Sequence, residues 1–319
     1  LDHGPEVLQG GAIGLDAAVI DFAPESGKYL LAKTDPITFA TDRIGEYAVH
    51  VTANDIVCMG GIPKWFLATA LLPTGTDEEG VNNIFKQLKE TCASLGVSLI
   101  GGHTEITLAL DRPLVIGCML GEVNDTGLLL PKNACSGDVL ILTQGIAIEG
   151  TAVLARDAAT DLLEAGLTND QVKAARDLLN HPGISVFPAA KVLWGYEGLR
   201  ALHDPTEGGI MTGVQEIAGA AGLGFELETE KILVRQETTA VCRALNLDPL
   251  GLLASGALVA VMCPEEVEQA LDSLADMGIP AAAIGRLVDS DSSLVNNAGL
   301  PTFERDELAR YLEGSHQVD

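Results

Sequence analysis

Short apolar runs, broken by glycine and proline, divide this chain into alternating strand-like and helix-like segments. After glycines 10, 11 and 14, residues 15–22 (LDAAVIDF) read as a strand, and residues 29–34 read as a second. Asp35-Pro36 is expected to end that second strand, because proline has no amide hydrogen to give a ladder. Residues 43–60 read as a helix stopped by Gly60-Gly61, followed by a strand at 65–71. Thr76-x-x-Glu79 has the form of a capping box opening a helix that ends near Gly96. A strand at 97–100 is expected to break into a glycine loop, Gly101-Gly102-His103-Thr104-Glu105, before another strand at 114–123. In the second half, helices are expected near 147–157, 168–180, 185–194, 208–221, 236–246 and 264–277. Strands there are expected at 139–143, 223–228, 256–262 and 281–288, with Thr168-x-x-Gln171 as a second capping box. Both halves mix helix and strand, so the fold class is α/β or α+β.

Length and charge narrow the picture. At 319 residues the chain is large for one core, and a polar turn at 131–138 resets the pattern. The boundary is therefore placed there, giving domains 1–135 and 136–319. The composition, 47% hydrophobic with 35 glycines and 4% aromatics, suits an Ala/Val/Leu/Gly-rich globular protein. No apolar run has membrane-spanning length, and residues 1–4 do not read as a signal peptide, so a soluble cytoplasmic protein is expected. A formal net charge of -26 with no basic patch argues against nucleic acid and anionic membranes as partners. An anionic substrate would then need a metal ion or backbone amides to hold it. The six cysteines are scattered, without a Cys-x-x-Cys pair, and read as buried thiols in a reducing compartment.

Three acidic residues carry the candidate chemistry. Ile44, Ala48, Val51, Asp55 and Met59 recur at steps of four, three, four and four, so Asp55 falls on the apolar stripe of its helix. A buried carboxylate must be met, either by a cation or by donors such as an arginine or backbone amides. Asp16 opens one strand and Asp35 closes the next. Carboxylates at strand ends are suited to hard Mg2+, which binds oxygen ligands together with substrate phosphates. Each alone is more often a turn or cap residue. Two glycine clusters, 101–105 and Asp204-Pro205-Thr206-Glu207-Gly208-Gly209, can turn amides toward an anion or serve as tight turns. Neither matches the Walker A pattern or the dinucleotide fingerprint. His103, among its glycines, can donate to a phosphate or pack as a polar loop residue.

In their order and spacing, several elements resemble the superfamily of aminoimidazole ribonucleotide synthetase, which also holds selenophosphate synthetase, thiamine monophosphate kinase and HypE. They are Gly14-x-Asp16-Ala17-Ala18-Val19, Lys33-Thr34-Asp35, Asn54-Asp55, Gly101-Gly102-His103-Thr104, Gly137-Asp138 and His203-Asp204-Pro205-Thr206-x-Gly208-Gly209. The last of these, with the segment 246–250, is most similar to HypE proteins. The resemblance implies an N-terminal domain that pairs its sheet with a second subunit, a C-terminal α/β domain, and ATP as cofactor. It implies Mg2+ on Asp16, Asp35 and Asp55, with Asn54, Gly101, Gly102, Thr104, Gly208 and Gly209 near the nucleotide. His103 and Asp204 are the implied catalytic residues. The implied activity is phosphorylation of a carbonyl or amide oxygen of a small-molecule substrate, leading to dehydration or cyclisation. The alternatives are a small-molecule kinase or cyclo-ligase of the same fold, or a weakly active nucleotide-binding partner. HypE proteins carry a cysteine in a C-terminal tail, whereas the last cysteine here is Cys263 and residues 314–319 read GSHQVD. The substrate is accordingly expected to be a separate molecule.

Overall fold

The computed structural model describes residues 4–38, 42–290 and 299–315. Residues 1–3, read above for a leader, and 316–319 of the polar tail lie outside the described residues. The chain divides into two compact units, one of residues 1–12 and 16–128, the other of 13–15 and 129–319. Among the described residues no helix is long and apolar enough to cross a membrane.

The first unit is a six-stranded sheet in the order β1-β2-β3-β6-β4-β5. Its strands are β1 (Val7–Gln9), β2 (Ala18–Ala23), β3 (Lys28–Ile37), β4 (Ile62–Pro73), β5 (Ser98–Thr107) and β6 (Leu114–Asn124). All neighbours are antiparallel except β4 and β5, which α2 (Glu78–Leu95) links as a parallel pair. Helix α1 (Ile44–Cys58) packs across β3, β4 and β6, and α2 packs on α1 and β5. On the helix face the side chains of Leu31, Phe66, Val115 and Met119 are sealed from solvent. Glycine makes this close approach possible: a Cβ on Gly117 would press on the Ala48 carbonyl and the Phe66 ring. Three expectations need correction. β3 does not stop at Asp35 but runs through Pro36 to Ile37. Since β2 pairs with β3 only as far as Ala32, that edge is unpaired at Pro36, where the missing amide hydrogen costs no ladder bond. The α2 cap is Asp77, which accepts from the Gly80 amide, while the Thr76 hydroxyl bonds back to the Pro73 carbonyl.

The third correction concerns the glycine segment after residue 100. Residues 98–107 are one continuous strand, not a loop, registered residue by residue on β4 from Gly101 onward. Gly102 lies so close to β4 that a Cβ there would collide with the Ala68 carbonyl. The glycines therefore serve strand contact, a use that composition alone does not separate from a turn.

The second unit is a five-stranded antiparallel sheet, β8-β10-β7-β11-β9. Its strands are β7 (Val139–Thr143), β8 (Leu199–His203), β9 (Gly224–Leu227), β10 (Leu258–Met262) and β11 (Ala281–Val288). The helices are α3 (Ile148–Asp157), α4 (Ala159–Glu164), α5 (Asn169–Asp177), α6 (Phe187–Leu193), α7 (Gly209–Ala221), α8 (Gln236–Leu245), α9 (Val267–Asp276) and α10 (Glu307–Ser315). Central β10 is buried at all five positions, as expected of its unbroken run of apolar residues. The Thr168–Gln171 capping box is formed in both directions. Sequence reading missed β1, β8, α4 and α10, all short.

Candidate functional site

Asp35 and Asp55 meet in the first unit, brought together by the helix-on-sheet packing just described. Leu31, Lys33, Asp35 and Ile37 alternate onto the helix face of β3, and Asp55 descends from α1 toward them. Between the two carboxylates stands Lys33. Its Nζ lies 3.0 Å from Asp55 Oδ1 and 3.4 Å from Asp35 Oδ2. The Asp55 side chain is 8% exposed, against 27% for Asp35, so the pair runs from the interior to the surface. Asn54 beside it on α1 is also buried. Asp16, 7% exposed, lies two residues ahead of β2, and one of its carboxylate oxygens is within 4.8 Å of Cys58 Sγ. Because Cys58 is one helical turn beyond Asp55, Asp16 sits toward the same end of α1.

The sheet register places the remaining candidates of this unit. Asp35 pairs with Gly117, Gly117 with Ala68, and Ala68 with Gly102, so the four form one row across β3, β6, β4 and β5. Three strand spacings put Gly102 about 14 Å from Asp35. Alternation along β5 turns Gly102 and Thr104 to the Asp35 face and His103 to the opposite face. The structure thus separates His103 from the acidic pair. Its Nε2 stands 4.0 Å from Glu105 Oε2, on an exposed strand. Beside Gly101, Gly102 and Thr104 opens a cleft of about 540 Å³, floored by Ala68 and walled by Phe85 of α2.

In the second unit, Asp204 follows β8 and is 2% exposed. His203, expected in a loop, is the last residue of β8, and its Nε2 is 3.2 Å from Glu216 of α7. Gly208 and Gly209 have φ of 77° and 68°, and a Cβ on Gly209 would strike the Leu250 carbonyl. The Gly208 amide donates to Asp306 Oδ2 at 2.7 Å, and the Ala254 amide donates to the Thr206 carbonyl at 3.1 Å. An internal carboxylate therefore occupies the amide that sequence reading had offered to a phosphate. The rest of the 303–311 segment fastens beside it. The Phe303 ring covers Gly251, Glu307 Oε2 accepts from the Asp248 amide at 2.8 Å, and Arg310 donates to the Asn246 carbonyl at 3.0 Å. Burial pushes the Asp306 carboxyl up to about 6, against the pull of the amides of Gly208, Leu308 and Leu253.

Glu149, in the first turn of α3, went unnoticed in the sequence. It is 6% exposed, and its amide donates to the Ser255 carbonyl at 3.3 Å. Burial raises its carboxyl to about 7; Ser255 and Arg156 pull it down, while Asp306 and Glu207 push it up. An acidic residue in a first helical turn is too common to mark such a site.

The geometry can be set beside proteins of known type. The chain matches the AIR synthase-related N-terminal domain over residues 14–123 and the corresponding C-terminal domain over 136–295. It is 30% identical over 265 residues to the carbamoyl dehydratase HypE of Rhizobium leguminosarum bv. viciae, spanning 82% of this chain and 72% of that protein. A crystal structure of the hydrogenase maturation protein HypE in complex with ATP superposes with a TM-score of 0.69 at 25% identity, covering 82% of this chain and 77% of that one. Thiamine monophosphate kinase from Aquifex aeolicus shares the fold, with a TM-score of 0.68 at 19% identity over 86% and 89% of the two chains. Two matched domains in sequence order, together with this relative, make the chain an enzyme of the AIR synthase-related family.

Proposed function

We propose that the chain binds Mg-ATP and uses it to phosphorylate a carbonyl or amide oxygen of a small molecule, which then leaves as phosphate. The observation that carries this reading is the convergence of Asp35 and Asp55 on one cation, the Lys33 ammonium. Their oxygens already define a point at which positive charge is held, and hard oxygen ligands of this kind suit Mg2+. Asp35 and Asp55 would hold the ion, with Asp16 from the same end of α1. Held by these carboxylates, Mg2+ would offset the charge of the phosphates. Asn54 and the backbone at Gly101, Gly102 and Thr104 would line the nucleotide, in keeping with the cleft beside β5. HypE, the type of the 30% identical relative, is a carbamoyl dehydratase, and a HypE structure contains ATP. Dehydration fits the same chemistry: the substrate oxygen takes the γ-phosphoryl group as ADP departs, and loss of phosphate removes that oxygen. Asp204 would accept the proton that the substrate gives up, with Gly208 and Gly209 shaping its loop.

The reading includes a homodimer formed through the first unit. α1 and α2 cover one face of the sheet. The other face presents Leu30, Leu67, Leu71, Ile116 and Leu120, and edge strand β5 is exposed through nine of its ten residues. An apolar face and an open edge both call for cover. His103 would then act at the β5 edge, next to the partner subunit. Calorimetry tests the central claim: Asp55→Asn should weaken the Mg2+-dependent part of ATP binding at least tenfold. Equal affinity and equal Mg2+ dependence would remove it.

A further inference from the structure

Lys33 is the one member of the acidic site whose charge opposes a metal ion. It shares a strand face with Asp35, two residues on, and its ammonium touches both carboxylates at 3.0 and 3.4 Å. Three opposing features define what it can do. Two carboxylates this close, one of them almost fully buried, call for a counter-charge beside them. An ammonium supplies one charge and a divalent ion two, so the lysine satisfies the pair only in part. The ammonium and a divalent ion cannot both sit between the same oxygens, because like charges a few ångströms apart in a partly dry site repel strongly. A metal ion must therefore displace Lys33 to gain these ligands.

A lysine is built for such a displacement. Its charge rides on a four-carbon stem with freely rotating bonds, and the Lys33 side chain is 26% exposed, so solvent-side space is open to it. Where the ammonium goes decides the energetics. With metal alone, it leaves two carboxylates for water. With metal and a triphosphate arriving together, it leaves them for phosphate oxygens instead.

We propose that Lys33 is an internal counter-ion that holds the Asp35–Asp55 pair assembled and makes metal binding conditional on nucleotide. It is a positioning residue: it blocks the divalent ion in the nucleotide-free protein and pairs with phosphate once both ligands are present. By linkage, the nucleotide raises metal affinity by the same factor as metal raises nucleotide affinity, and Lys33 sets part of that factor. This inference rests on the Mg-ATP reading above.

The test titrates Mn2+ into the full chain, followed by its electron paramagnetic resonance signal, with and without a non-hydrolysable ATP analogue. Lys33→Met, nearly the same shape without the charge, should bind Mn2+ alone at least tenfold more tightly than wild type. The gain in Mn2+ affinity produced by the analogue should shrink correspondingly. In the wild-type chain with 13C-labelled lysine, the Lys33 Cε signal, assigned by its loss in Lys33→Arg, should shift when Mn2+-free Mg2+ and the analogue are added together. That measurement stands even where Lys33→Met folds poorly. Mn2+ binding that Asp55→Asn abolishes but Lys33→Met leaves unchanged would overturn the inference alone, as would a Lys33 signal unmoved at saturation. Mn2+ binding equal in wild type and Asp55→Asn would overturn the metal reading, and this inference with it.

Discussion

Replacing Glu149 by glutamine should stabilise the protein at high pH and not at low pH. The carboxyl is 6% exposed, and burial raises it from its ordinary 4.5 to about 7. In the unfolded chain it ionises near 4.5; in the folded chain it keeps its proton until about 7. Between these values the folded state binds the extra proton, so stability falls as pH rises through the window and the full penalty is present above it. The interval of about 2.5 pH units, at about 1.4 kcal/mol each, sets this penalty on the order of 3 kcal/mol above pH 7. Glutamine keeps an oxygen acceptor for Ser255 and cannot ionise, so the penalty vanishes. The nearby Asp306 carboxyl, itself raised to about 6, titrates in part of the same window and remains in the variant, which blurs the step without moving its sign. Urea unfolding of both proteins from pH 5 to 8.5 reads the effect. The difference in unfolding free energy should be small at pH 5 and grow by about 2–3 kcal/mol toward pH 8, equivalent to several degrees in Tm. Parallel pH profiles for the two proteins would refute the assignment of a protonated, buried Glu149.

Further outcomes follow from the same structure. Gly102→Ala should cost about 1–3 kcal/mol in chemical denaturation, since its Cβ meets the Ala68 carbonyl across the parallel pair; wild-type stability would contradict that contact. Asp306→Ala should lose about 1–3 kcal/mol and speed hydrogen exchange at the Gly208 amide, and an unchanged exchange rate there would show that the bond does not hold the loop. Light scattering at micromolar concentration should return a dimer mass for the wild type and a monomer mass for Ile106→Lys, whose residue is 54% exposed on the β5 edge; a wild-type monomer would remove the dimer.

Local periodicity made the helix around Asp55 legible, because its apolar stripe is intrinsic to residues 44–59 and survives any tertiary arrangement. Asp35 was picked out as the carboxylate closing its strand, although Pro36 gave the wrong end and β3 runs on to Ile37. A single unpaired edge removed the penalty that proline normally carries, and edges are decided by which strands pair. The segment 101–105 misled in the opposite direction. Two glycines in succession signal a turn when the chain is read locally, yet here they let β5 lie against Ala68. Lys33 left a faint signal, since residues 33 and 35 of any strand share a face, but nothing local says that Asp55 approaches from the other side. Glu149 and Asp306 left none. Their perturbation depends on burial by segments about one hundred residues away in sequence, Ser255 for Glu149 and Gly208 for Asp306.

The hydrogen bond from Gly208 to Asp306 spans 98 residues. During synthesis, domains fold as units beginning from the N-terminal side, and β8, the Asp204–Gly209 loop and α7 leave the ribosome well before residue 306 does. Until then the Gly208 amide has only water or a dissolved anion for company, and the Gly251 backbone lacks the Phe303 ring above it. The loop that carries Asp204 is therefore among the last parts of the chain to mature, so a stalled or prematurely terminated product would carry a first unit with its full complement of carboxylates beside a second unit whose glycine loop is still unlatched.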